Sequence, residues 1–262
     1  MTNLEALILG IIQGLTEFIP VSSSGHMEIG KFLLGVKSEE NLLFLVVVHF
    51  ATLLSTLVVF RKEIIELVRG LFEFKYNDSL DFSLKIIVSI IPVGIVGFLF
   101  EETFEQLFTG KMLLVGFSLL ITALLLFYAG KMKETNGEIS FLKAILIGIA
   151  QTIALLPGLS RSGATISTAL LLKVDRSKAA YFSFMMVLPP IAGAMLLKSL
   201  EYFKDPSLHT INFLPLLIGF IAAFIFGYIA CKWMIELIKK GKLIYFSIYC
   251  LLVGLFSIAI GI

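Results

Sequence analysis

One unit is used twice in this chain. GIIQGLTEFIPVSSSGH, from Gly10 to His26, returns 138 positions later as GIAQTIALLPGLSRSGA, from Gly148 to Ala164. At that offset Gly10 meets Gly148, Gln13 meets Gln151, Ser22 meets Ser160, Ser24 meets Ser162 and Gly25 meets Gly163. The copies differ at polar positions. The first carries Glu17 and His26 where the second has Leu155 and Ala164, and the second sets Arg161 opposite Ser23. A duplicated scaffold with unlike polar groups implies one composite site built from both copies.

The setting of the copies is apolar. Hydrophobic residues make up 58% of the 262 and charged residues 15%, and the mean hydropathy is +0.99. A soluble domain carries about 25% charged residues, so the sequence reads as an all-α polytopic membrane protein. Runs of spanning length lie at 42–60, 83–100, 112–130, 181–200, 211–231 and 243–262, which predicts about six transmembrane helices. The net charge of +2, spread over short loops, offers no nucleic-acid surface. Cys231 and Cys250 lack metal-ligand spacing and read as small buried hydrophobes. No basic n-region precedes the first apolar run, so that segment is expected to remain in the mature protein.

Both repeated segments, 4–34 and 143–172, are broken by Pro, Gly and serines. If the second spanned the bilayer, eight basic residues before it (Arg61, Lys62, Arg69, Lys75, Lys85, Lys131, Lys133, Lys143) would face away from seven after it (Lys173, Arg176, Lys178, Lys232, Lys239, Lys240, Lys242). If it re-enters, those 15 share the cytoplasmic side, with Lys37, Lys111, Lys198 and Lys204 opposite. Homology extends the re-entrant shape to the first segment. Three intervening spans then invert one hairpin relative to the other, which is a transporter-like architecture. The expectation is a single membrane domain over 1–262, with inverted-topology repeats at about 4–130 and 143–262. Both termini are expected to be extracytoplasmic, and the hairpin tips to meet within the membrane.

Gln13 and Glu17 share a helix face before Pro20 stops the helix. A carboxylate in an apolar segment is a functional candidate, because it costs about 2.5–3.5 kcal/mol to insert. Tied to Arg161 or to backbone amides, it would be structural instead. Ser22, Ser23, Ser24, Gly25 and His26 supply hydroxyls, open amides and an imidazole, the parts of a nucleophile, an anion cradle and a base. Ser24 could equally cap the next helix. Arg161 at a bend where a helix begins suits a phosphate or phosphoanhydride, with Ser160, Ser162, Gly163 and Thr165 as supporting donors or caps. His49, in the first full span, either satisfies a neighbour or lines the cavity. His209, Glu101, Glu102 and Glu105 read as solvated loop residues.

At QGLTE with PVSSSGH, and at PGLSRSG, the chain resembles the intramembrane undecaprenyl-diphosphate phosphatase family, the bacitracin-resistance proteins, and the resemblance runs over its whole length. It implies hydrolysis of undecaprenyl diphosphate to undecaprenyl phosphate and inorganic phosphate in a bacterial cytoplasmic membrane. That reaction recycles a lipid carrier for peptidoglycan and other envelope polysaccharides and confers bacitracin resistance. It also implies a divalent cation, Mg2+ or Ca2+, with Glu17 as a candidate ligand. The partners implied are the polyprenyl diphosphate and membrane lipids, with a homodimer as one option. Gln13 departs from the family's more acidic alternative at that position.

On this reading Ser23 attacks the terminal phosphorus, with Ser22 or water as rival nucleophiles. His26 is the base, or the acid for the leaving group. Glu17 orients the histidine or binds the metal, Arg161 neutralises the phosphoryl oxygens, and Ser22, Ser24, Gln13, Ser160, Ser162, Gly163 and Thr165 bind substrate. The alternative from another class is a transporter or flippase of polyprenyl phosphate or another anionic lipid. The acid-phosphatase-like lipid phosphatases are disfavoured because the sequence has no Arg-Pro.

Overall fold

The computed structural model describes residues 1–36, 42–100, 111–204 and 213–262. Among the described residues there are twelve α-helices and no strand. They are α1 (Asn3–Phe18), α2 (Ser23–Leu34), α3 (Leu42–Val59), α4 (Arg61–Leu71), α5 (Asp78–Leu99), α6 (Met112–Gly130), α7 (Phe141–Ile153), α8 (Arg161–Leu171), α9 (Arg176–Met186), α10 (Leu188–Lys204), α11 (Phe213–Lys239) and α12 (Leu243–Gly261). Lys37, Glu101, Glu102, Glu105 and His209 lie outside the described residues.

Among the described residues, five helical stretches are long and apolar enough to cross a membrane: α5, α6, α9 with α10 as far as Leu197, α11 and α12. A sixth appears if α3 and α4, which bend by 75° at Phe60, count as one. Side chains facing outward from these helices are apolar, among them Ile121, Leu124, Phe98 and Leu252. An exterior of this kind belongs in lipid.

Several helices begin before the apolar runs that announce them. α5 starts at Asp78 because Asn77 caps it, its side-chain oxygen accepting from Leu80 N at 2.9 Å. α9 starts at Arg176 because Asp175 Oδ1 accepts from Ser177 N and Lys178 N at 2.9 and 3.0 Å. The run expected as one span over 181–200 is interrupted at Val187, just before Pro189 and Pro190. Proline supplies no N–H and its ring crowds the preceding turn, so the prolines fall in the first turn of a new helix. α4 buries none of its residues and mixes Arg61, Lys62, Glu63, Glu66 and Arg69 with Ile and Leu, the pattern of a helix lying along a water–lipid boundary.

The two repeated segments fold as helix–turn–helix units whose helices pack on each other, α1 on α2 and α7 on α8. In the first, a Cβ on Gly30 would lie 3.1 Å from Leu9 Cδ2 and 3.0 Å from Ile12 Cδ1, so the chain doubles back. Small residues let the first unit seat deeply: a Cβ on Gly10 would lie 2.6 Å from Gly219 O, and one on Gly14 2.7 Å from Ala223 O. This is the small-residue packing that substitutes for hydrophobic drive between helices in lipid. α1 thereby lies along α11, while α7 lies along α5.

Candidate active site

The turns of the two units have the same local build at the sequence offset. Ser22 caps α2, its Oγ accepting from Gly25 N at 3.2 Å, and Ser160 caps α8, its Oγ accepting from Gly163 N at 3.1 Å. Each capping hydroxyl also faces the serine two residues on, Ser24 at 3.2 Å and Ser162 at 3.4 Å. The first turn is the strained one, because Ser22 has φ 71°. A non-glycine residue in that region costs on the order of 1–3 kcal/mol and concentrates at functional sites. It is the cap itself, rather than Ser24, that initiates α2.

The turns touch. Gly158 N donates to Ser24 Oγ at 3.4 Å, and a Cβ on Gly25 would lie 3.1 Å from Gly158 Cα. Gly158 has φ +86°, and a Cβ there would sit 2.6 Å from Val115 O, so both conformation and space require glycine.

Glu17 is the junction between the units. Its Oε2 accepts from Gln13 Nε2 at 2.9 Å and from Ser23 Oγ at 2.7 Å, and its Oε1 pairs with Arg161 Nη2 of the other unit. His49 Nε2 stands 4.0 Å from Oε2. The carboxylate is buried and the guanidinium partly exposed. Two neutral donors and a cation offset the desolvation of a buried carboxylate. Beside the pair lies a cavity of about 20 Å³ lined by Glu17, Arg161, Thr52 and Thr56, with an apolar wall that includes Phe18 and Phe184. That space admits water.

The structure therefore brings Gln13, Glu17, Ser23 and Arg161 into one hydrogen-bonded group. His26 stands apart from it: Nδ1 is 2.8 Å from Ser22 O and Nε2 is 2.8 Å from the Tyr249 hydroxyl, while Ser23 donates to Glu17. Ser22 and Ser160 are engaged as caps, and Ser160 N donates to Thr122 Oγ1 at 3.0 Å. Thr165 Oγ1 bonds back to Arg161 O at 3.0 Å. Gln151, at the place of Gln13, is buried with both amide atoms unpartnered among the described residues.

For a divalent cation the donor set is small. No group of three His, Cys, Asp or Glu converges among the described residues. One turn of α1 away from Glu17, the buried Gln13 Oε1 has no partner among the described residues and offers a hard oxygen. Mg2+ needs only one or two carboxylates when substrate phosphates complete its shell, and Ca2+ also takes amide oxygens, so these residues fit such an ion.

Sequence reasoning left out Tyr249, Thr52 and Thr56. None carries a local signal, since each reaches the site from a helix remote in sequence. His49 was marked by being a lone imidazole in an apolar run.

The family described as bacitracin resistance protein BacA matches residues 6–256. The chain is 57% identical to an undecaprenyl-diphosphatase of Christiangramia forsetii, over 98% of both chains. It is 52% identical to one of Parabacteroides distasonis, over 99% of this chain and 98% of that one. It is 40% identical to undecaprenyl-diphosphatase 1 of Bacillus cereus, over 97% of this chain and 96% of its relative.

Proposed function

The chain belongs to the bacitracin resistance protein BacA family, and from that premise we propose that it is a multi-pass membrane phosphatase that hydrolyses undecaprenyl diphosphate to undecaprenyl phosphate and inorganic phosphate. Recycling the lipid carrier for envelope polysaccharides, and resistance to bacitracin, follow from that activity. The observation that carries the chemistry is the Glu17 junction, where a candidate nucleophile of one turn and the cation of the other meet on a single carboxylate. The transporter alternative is not favoured by relatives that carry phosphatase names.

The mechanism begins with exchange of partners. The terminal phosphate takes the Arg161 guanidinium from Glu17. Arg161 then spreads its charge over the phosphoryl oxygens. Ser23 Oγ attacks the terminal phosphorus and passes its proton to Glu17 Oε2, to which it already donates. The bond from that phosphorus to the bridging oxygen breaks, and undecaprenyl phosphate leaves. Water then hydrolyses the phosphoserine, releasing phosphate, and Glu17 returns the proton to Ser23. His26, whose Nδ1–H donates to the Ser22 carbonyl, accepts at Nε2 the proton of the water that attacks the phosphoserine and passes it to the departing phosphate.

Glu17 and Gln13 Oε1 would hold a divalent cation together with substrate oxygens, and the ion would supply further neutralisation of phosphate charge. The matching caps and touching turns support two hairpins of like build that meet at their tips, and the bias of lysine and arginine among the loops supports their re-entrant, inverted orientation with both termini and the site on the extracytoplasmic side.

The deciding experiment is phosphate release from undecaprenyl diphosphate by purified protein in detergent, with and without a chelator. Release that the chelator stops and Mg2+ or Ca2+ restores is the expected result. No release under any condition overturns the assignment, because hydrolysis, unlike transport, needs no second compartment.

A further inference from the structure

His26 is held at both ring nitrogens. Nδ1 lies 2.8 Å from the Ser22 carbonyl, which can only accept, so Nδ1 carries the proton of the neutral ring. Nε2 is then an acceptor, and the group donating to it at 2.8 Å is the Tyr249 hydroxyl. The two ring planes are nearly parallel, at 9°, with centroids 5.5 Å apart.

Tyr249 comes from α12, 223 residues further along the chain. This is no by-product of core packing, because α2 and α12 otherwise barely touch. α12 is fixed instead along α6, where Ser247 Oγ donates to Ala123 O at 2.7 Å and Ser257 Oγ to Met112 O at 2.9 Å. The backbones also meet closely, since a Cβ on Gly116 would lie 2.8 Å from Gly254 O. One residue beyond the tyrosine, Cys250 Sγ approaches Pro20 O in the first turn at 3.7 Å. A rigidly mounted helix thus delivers a phenol to the imidazole, while the tyrosine itself stays 43% exposed on the apolar exterior. A phenol within an apolar helix requires a polar partner, and here that partner is His26.

We propose that Tyr249 is a positioning residue for the phosphatase reaction: its hydroxyl, beside Nε2, keeps the Nδ1–H tautomer of His26 aimed in the orientation from which Nε2 acts. The inference rests on the role given to His26 in the proposed mechanism. The phenol stays against the imidazole while the diphosphate is bound, so the ring is already oriented when the chemical step begins. Orientation of this kind acts on the chemical step more than on uniform binding.

The test uses full-length protein in detergent with undecaprenyl diphosphate and compares Tyr249→Phe, His26→Ala and the double variant. Phenylalanine keeps the ring and removes only the hydroxyl. The expected result is a fall in kcat of about 10- to 100-fold with KM within about twofold. In the His26→Ala background the same substitution should cost nothing further, as a residue acting through another requires. In protein labelled with 15N-histidine, the His26 Nε2 signal should shift on losing its donor. Undiminished kcat in Tyr249→Phe, an equal loss on both backgrounds, or an unmoved Nε2 signal would each overturn the proposal. Failure of the underlying mechanism registers separately: His26→Ala would then be fully active, which removes the catalytic role of the histidine and of its tether together.

Discussion

Replacing Arg161 with alanine strands the Glu17 carboxylate. The Glu17 side chain is 4% exposed and that of Arg161 31%, so the substitution removes the cation while opening little of the carboxylate to solvent. Gln13 and Ser23 still donate to it, and His49 at 4.0 Å is a poor replacement for a guanidinium. Truncating one partner of a buried pair costs about 3–5 kcal/mol. The partial exposure of Arg161 and the two surviving donors place this case at the lower end, about 3 kcal/mol. At about 2–4 °C per kcal/mol for a chain of this size, thermal unfolding in detergent should fall by about 6–12 °C.

Turnover should fall further, by about 10³-fold, since one preorganised donor is worth about 10²–10³ and a charged arginine on a phosphoryl group about 10³–10⁵. The two effects separate in the double variant Glu17→Gln with Arg161→Met. Both charges leave together, so stability should return to within about 1 kcal/mol of the parent, while phosphate release stays abolished. Arg161→Ala protein that turns over within tenfold of the parent would refute the phosphate role. A double variant no more stable than the single one would refute the account of the buried pair.

Three further outcomes follow from named contacts. Ser23→Ala should abolish both turnover and the trapped phosphoenzyme, whereas Ser22→Ala, which loses a helix cap worth about 1 kcal/mol, should keep the phosphoenzyme; labelled phosphate on Ser22 alone would reverse the assignment. Gly158→Ala should lower the melting temperature markedly and reduce activity, because it forces a side chain into a backbone at φ +86° and within 2.6 Å of Val115 O; parental stability would contradict the touching-turn geometry. Ser167→Ala should be neutral or stabilising by up to about 1–3 kcal/mol, since that hydroxyl is fully buried without a partner among the described residues; a clear loss of stability would mean that the hydroxyl is bonded after all.

Several parts of this architecture were legible from residue order. A mean apolarity incompatible with a soluble domain dictates helices in lipid, because backbone groups there must be satisfied within the segment. Pro20 and the Pro157–Gly158 pair announce turns, and the serines beside them announce caps. The offset that aligns Ser22 with Ser160 also aligns their hydrogen bonds to Gly25 N and Gly163 N. Less legible were the true starts of α5 and α9, where capping by Asn77 and Asp175 carries the helix back into polar sequence that hydropathy alone reads as loop.

What the sequence determined by itself is the inventory: a membrane-embedded pair of turns, a carboxylate, serines and a histidine on one, an arginine on the other. Local rules suffice for that, since periodicity, caps and prolines act over a few residues. Who bonds to whom was decided only by tertiary structure. The Ser23 hydroxyl could have turned to His26 or to Glu17, and it donates to Glu17 because packing of the two turns sets Glu17 between Ser23 and Arg161. His26 is drawn instead to Tyr249, a residue no pattern near the motifs could have nominated. Its place is fixed by the seating of α12 on α6, through glycines and serines far from the turn it serves. Hydrogen-bond partnership depends on ångström-scale approach between segments, which the rigid packing of whole helices sets.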